Sequence, residues 1–216
     1  MIGDSSIVSA ENAKNLGVTF DSIMSLENHV ANISRAAYYH LHAIGRVRRY
    51  LDLQSAKQLV HAMVISRLDT CNSLLCNLPD TTVKRLQRVQ NACAKTIMGR
   101  AKKDHVTPLL KELHWLPVKS RINYKLIMIV FKCLHGIAPQ YLSDLLTKYE
   151  PGRSLRSENK ILLVEPPSRT KIYGNRTLSY AAPRLWNQLP LSLRQCEKLE
   201  HFKSSSKTHL FRQEYE

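Results

Sequence analysis

Between Leu26 and Gly99, apolar residues recur every three or four positions in three successive stretches, a spacing that a helix turns into one buried face. The first stretch aligns Val30, Ile33, Ala37, Leu41, Ile44 and Val47. The second, over residues 55–75, aligns Leu59, Val60, Met63, Val64, Leu68 and Cys71. The third opens at Pro79, suited to a first helical turn, carries Val83, Leu86, Val89, Cys93 and Ile97, and stops near Gly99. Three amphipathic helices with short connections predict an antiparallel bundle over residues 24–100.

The flanks differ in texture. Ser6-Ile7-Val8 and Asn15-Leu16-Gly17-Val18-Thr19-Phe20 are β-prone, enough for a hairpin or two edge strands, and two strands alone are marginal. After the basic linker Gly99-Arg100-Ala101-Lys102-Lys103, a short helix is expected over residues 107–113. A longer one then runs from Pro117 to Gly136, apolar over most of its circumference and so central to a second core. Another short helix is expected over 139–149. Residues 150–190 carry prolines and isolated apolar pairs, with Ile161-Leu162-Leu163-Val164 and Lys171-Ile172-Tyr173 as short strands or ordered loops. A closing helix over 199–212 turns Leu199, Phe202, Leu210 and Phe211 inward. The expected class is mainly α: a short N-terminal β-hairpin, a three-helix bundle, then a second helical region with short strands and proline-rich loops.

Charge supplies the first functional hint. Lys and Arg number 32 against 17 Asp and Glu, leaving +15. Residues 1–30 are net −3 and residues 31–216 net +18, so the basic excess lies entirely in the body of the chain. Such a body attracts polyanions, nucleic acid first among them; the alternatives are a merely basic soluble protein or a partner for an acidic one. On the third helix Lys84, Arg88 and Lys95 stand within roughly 40° of one another, opposite Leu86 and Cys93. Arg121, Lys125 and Lys132 repeat that spacing on the Pro117 helix. Arg35, His42, Arg46 and Arg49 stand in the same relation to the first helix's apolar face. Such rows can follow a phosphate backbone, with Tyr38, Tyr39, Tyr50 and Tyr124 nearby for sugar or base contacts. Equally, an amphipathic helix of a basic protein must place something polar outside, and only alignment of the rows in the fold would strengthen them.

The residues for catalysis are missing from the pattern. No two acidic residues are adjacent, and the glycines show no GxGxxG or GxxxxGK spacing. Asp21, Asp52, Asp69, Asp80 and Asp104 stand alone and read as cap or turn residues. There is no GxSxG elbow and no HExxH. The five cysteines form no disulfide framework, pointing to a reducing setting. Cys71-x4-Cys76, Cys133-x-His135 and His40-x-His42 do not match zinc spacing, so no metal or other cofactor is expected. Cys133 and His135 as a dyad read more simply as packing residues. No apolar run approaches the roughly 20 residues of a membrane span, and the start lacks the basic and apolar regions of a signal peptide, so an intracellular chain is expected.

Two runs contain the only tryptophans, Leu113-His114-Trp115-Leu116-Pro117-Val118 and Ala182-Pro183-Arg184-Leu185-Trp186-Asn187-Gln188-Leu189-Pro190, and both tryptophans read as packing at element junctions. With them, in order along the chain, stand Asn15-Leu16-Gly17-Val18 and Asp21, Ser66-Arg67-Leu68-Asp69 with Cys71-Asn72, Leu86-Gln87-Arg88-Val89-Gln90-Asn91-Ala92, Arg121-Ile122, Gly136-x-Ala138-Pro139, and Leu155-Arg156-Ser157. Singly these are weak signals, but in this order the set is specific. The chain resembles the C-terminal part of the reverse-transcriptase polyprotein of a non-LTR, LINE-type retrotransposon of the jockey-like class, over nearly its whole length.

That resemblance implies a division: residues 1–22 as the end of the palm (a β-hairpin remnant), 24–100 as the thumb that holds template and primer, and 105–216 as the extension beyond the thumb. In the family, palm aspartates with magnesium copy RNA into DNA. This chain lacks the paired aspartates, the fingers and any upstream endonuclease, and shows no C-terminal Cys/His knuckle, so polymerase activity is not carried over. The expected function is non-catalytic binding of RNA, DNA or an RNA–DNA hybrid duplex through Arg35, Arg46, Arg49, Lys84, Arg88 and Lys95, with Arg121, Lys125 and Lys132 beside them. A nuclear location is what the resemblance implies. The alternatives are a helical protein-interaction module that pairs with a missing palm sheet or a protein partner, and a non-functional remnant of a decayed mobile element.

Overall fold

The computed structural model describes residues 10–150, 161–170 and 173–216. The chain is mainly helical and opens on a hairpin, β1 (Asn12–Asn15) against β2 (Val18–Asp21), in antiparallel register Asn12↔Asp21 to Asn15↔Val18. Leu16 (φ 47°) and Gly17 (φ 84°) form its two-residue turn, and positive φ at both centres matches the twist of a hairpin. The first strand is therefore the polar Asn12–Asn15; Ser6-Ile7-Val8 lies outside the described residues. Asp21 ends the hairpin and starts the bundle. Its carboxylate accepts the Ser25 and Leu26 backbone N–H groups at 2.7 Å each, which holds Leu26 left-handed (φ 58°) ahead of the first helix.

The bundle consists of α1 (Glu27–Val47), then α2 (Leu53–Val60), which passes through one wide turn over His61–Ile65 into α3 (Ser66–Asp69), then α4 (Asp80–Met98). Asp52 caps α2 by accepting the Ser55 N–H at 2.6 Å. The second helical stretch ends at Asp69, not Leu75: Cys71 takes φ 53°, is exposed rather than inward, and leads into a tight turn over Asn72–Leu75. Val47 is likewise exposed, because α1 is giving way to another tight turn at Arg48–Tyr50. Gly99 (φ 60°) closes α4, with Arg100 N–H reaching the Lys95 carbonyl and Gly99 N–H the Thr96 carbonyl. Arg48 brings the C-terminal ends of α1 and α4 together, its guanidinium donating to the Thr96 and Ile97 carbonyls at 2.6–3.1 Å. The two helices thus run the same way, as alternate members of an up–down–up bundle do.

The second region follows as α5 (Thr107–Glu112), α6 (Val118–Leu134), α7 (Gln140–Ser143), α8 (Leu178–Asn187), α9 (Leu191–Arg194) and α10 (Leu199–Tyr215). Pro117 precedes α6 and Gly136 (φ 66°) follows it, as the sequence predicts. Three differences stand out. The helix expected over 139–149 is one turn long, and Thr147 and Tyr149 instead pair with Val164 and Leu162 at 2.9 Å each. The apolar run 161–164 therefore finds its partner upstream; Lys171 and Ile172 lie outside the described residues. The proline-rich run 182–187 is helical, with Pro183 inside α8. Pro183 gives up one backbone hydrogen bond, and burial of Ala181, Ala182, Pro183 and Trp186 outweighs that loss.

Among the described residues three apolar clusters hold the molecule, and two of them cross the boundary at 100–105. Leu109, Leu110 and Leu113 of the second region join the bundle core. Val118, Ile122 and Leu126 of α6 pack with Val18, Leu26, Val30 and Leu86. The remaining cluster surrounds the far half of α6, where Phe131 stacks on Phe202 with ring centroids 4.3 Å apart and Trp186 is wholly buried.

Candidate nucleic-acid interface

The runs that carry the resemblance meet as joints. On α4, Gln87 Oε1 accepts the Val118 N–H at 2.8 Å, and the buried Gln90 donates to the Leu116 carbonyl at 2.8 Å. These two glutamines clamp the Trp115–Val118 run and supply an acceptor for the start of α6. Asp69 takes a two-pronged contact from Arg121, with Nε donating to Oδ1 at 2.9 Å and Nη2 to Oδ2. Trp186 Nε1 donates to the Ile161 carbonyl at 2.8 Å, and Asn187 bonds the Leu163 backbone in both directions. Trp186 is thus a packing residue; Trp115 is half-buried against the bundle core.

The predicted cations divide into two groups. On α1 and just beyond it, Arg35, Arg46 and Arg49 are exposed, as is His42, and Arg49 lies over the Tyr50 ring at 4.7 Å. On α4, Lys84 and Arg88 are exposed, while Lys95 is half-buried and donates to the Lys102 carbonyl. Among the described residues none of these six has a carboxylate within ion-pair reach. They face away from the apolar surface of their helices, with Tyr38 and Tyr39 exposed beside them and Tyr39 keeping 75% of its surface. The Arg48 contact also gathers Arg46, Arg49, Lys95 and Arg100 around the shared C-terminal end of α1 and α4. Helix dipoles favour cations there whether or not a ligand is present, which is the structural reason for part of this cluster.

On α6 the same spacing has another outcome. Arg121 is engaged by Asp69, with only 19% and 28% of the two side chains exposed, so the first member of that row holds the fold together rather than facing solvent. Lys125 is exposed and Lys132 half-buried. They line a groove between α6, α10 and the Asp69–Ser73 stretch that the sequence pattern did not reveal. Lys203 and Lys207 of α10 line it from the other side. Their contribution was hidden because α10 reads only as a closing helix, with Phe202 and Leu210 as its visible signal.

The thiols and imidazoles show no reactive pairing at Cys133 and His135. Cys133 is buried, which pushes its thiol up, and His135 stacks on Phe131 at 3.9 Å with Nδ1 2.8 Å from the Phe131 carbonyl. Burial likewise pushes the Cys93 thiol up to about 12 and that of Cys76 to about 11. Among the described residues no three His, Cys, Asp or Glu side chains converge to hold a metal, and no helix is long and apolar enough to cross a membrane. No protein-family model matches the chain, and neither a curated protein nor a solved structure matches it.

Proposed function

We propose that this chain is a non-catalytic, nucleic-acid-binding part of a non-LTR retrotransposon reverse transcriptase of the jockey-like class, with residues 24–100 acting as the thumb. It grips RNA, DNA or hybrid duplex by backbone charge, and a nuclear location goes with that role. The observation that carries this reading is the set of six cations on α1, α4 and their ends that have no carboxylate partner among the described residues, on a body of net +18. A solvated face often mixes signs and pairs them; here the one acid in the row on α4, Asp80, stands a turn before Lys84 and lies nearest Lys119 instead. The ordered motifs add a second support, since they meet as the joints that hold bundle and extension in one arrangement.

The test is binding of labelled RNA–DNA hybrid and DNA duplex, each in two unrelated sequences, across a salt series. Affinity should fall by about 0.9 log unit per log unit of salt for each phosphate neutralised, with little difference between sequences. Affinity that is indifferent to salt would overturn the reading.

One observation favours a second reading, a protein-interaction module. Leu16, Ile23 and Met24 are exposed at 87%, 63% and 43% around a hairpin with an open edge. A protein partner recovered from nuclease-treated extract and lost on Ile23→Asp would support it; loss of the partner after nuclease treatment would return the case to nucleic acid.

A further inference from the structure

The groove between α6 and α10 has its own chemistry. It comprises two adjoining concavities of about 350 and 420 Å³ that share Asp69, Asn72, Tyr124 and Lys125. Each falls within the roughly 300–1,000 Å³ typical of small-ligand sites. Its charge is one-sided. Lys125, Lys132, Lys203 and Lys207 line it, and the lining carboxylate, Asp69, is already neutralised by Arg121. Lys203 is itself paired with Glu200 at 2.6 Å, so Lys125, Lys132 and Lys207 carry the excess. Four ring systems border the first concavity: Tyr124, half-buried with its hydroxyl reaching the Lys203 carbonyl, Trp115, and the exposed imidazoles of His61 and His114. At the floor lies Asn72, 97% buried, whose Nδ2 donates to Asp69. Its Oδ1 finds no donor among the described residues and is closed off from the groove, so Asn72 supports the floor rather than meeting a ligand.

Lysines beside aromatic side chains suit a ligand that joins phosphates to a flat ring. We propose that this groove is a single-strand subsite taking one or two unpaired nucleotides. The lysines hold the phosphates, and Trp115 and Tyr124 border the base. A duplex cannot enter, since its bases present no free face. The inference rests on the nucleic-acid reading above but assigns to different residues a different part of the ligand.

The test compares three DNAs on the full chain: a blunt duplex, and the same duplex with a six-nucleotide dA or dT tail. Each tail should tighten binding about tenfold, the gain of one stacked base, dA at least as much as dT. Lys203→Ala with Lys207→Ala, both on α10 and outside the cations assigned to the duplex, should erase the gain and leave blunt-duplex affinity as it was. Lys84→Ala, Arg88→Ala and Lys95→Ala together should weaken all three DNAs alike. If neither tail tightens binding, or if the groove pair weakens blunt and tailed DNA equally, the subsite is overturned while duplex gripping stands. Binding of tailed but not blunt DNA would support the subsite and overturn the thumb-like grip. Binding of none of the three would overturn both.

Discussion

α4 and α6 carry the same cationic signature, with basic residues at positions i, i+4 and i+11, yet the fold uses them differently. α4 packs against α1, α2, α5 and α6 but leaves one face to solvent, so Lys84 and Arg88 stay outside. α6 is covered by α8, α10 and the Asn72–Leu75 turn on several sides, so its row falls into a seam: Arg121 is captured by Asp69, and Lys125 and Lys132 line a groove. Spacing along a helix fixes which side chains share a face. What that face meets depends on where around the helix its neighbours sit.

Substitutions that exchange the two roles sharpen the contrast. Phe131→Ala, at the wholly buried centre of α6, should cost about 3–5 kcal/mol in urea unfolding. Arg121→Ala leaves a largely buried Asp69 without its partner and should cost about 1.5–3 kcal/mol, with a return of stability when Asp69→Asn is added. Gln87→Ala, which removes the acceptor that α4 lends to the start of α6, should cost about 1 kcal/mol. Arg88→Ala, in the equivalent place to Lys125 on the other helix, should stay within about 0.5 kcal/mol. Were Arg88→Ala as damaging as Arg121→Ala, the distinction between an outward row and a seam would be lost.

The smallest effect concerns pH. Burial lowers the pKa of His29 at the start of α1, and its Nδ1 accepts the Thr19 N–H at 3.3 Å, which requires the neutral ring. The unfolded chain therefore takes up the proton first. His29 contributes its stability above the unfolded value of 6.5 and loses it as pH falls from there toward the folded value. A Tm series from pH 8 to pH 5 should decline on the acid side, and His29→Gln should flatten part of that decline.

Much of the fold was legible because the bundle obeys one period. Val30, Leu41, Leu86, Val89 and Ile97 are buried where the spacing put them, and Pro79, Gly99, Pro117 and Gly136 stand at the ends they predict. Irregular joints escaped for a physical reason. Cys71 takes a left-handed conformation that its residue type disfavours, and Pro183 sits in a helix because packing overrides propensity there. On the interface, exposure of the α1 and α4 cations followed from periodicity alone. The Arg121–Asp69 pair joins residues 52 positions apart, and Lys203 and Lys207 come to the groove from α10, so no local pattern could have announced either.

The most direct measurement is the salt slope of duplex affinity for the unaltered chain and for Lys84→Ala/Arg88→Ala/Lys95→Ala, with circular dichroism confirming equal helicity. If α4 lies along phosphates, the triple substitution should lower the magnitude of the slope by about 2 to 3, close to one unit per lost contact. An unchanged slope in a folded variant would show that the outer face of α4 does not touch the nucleic acid.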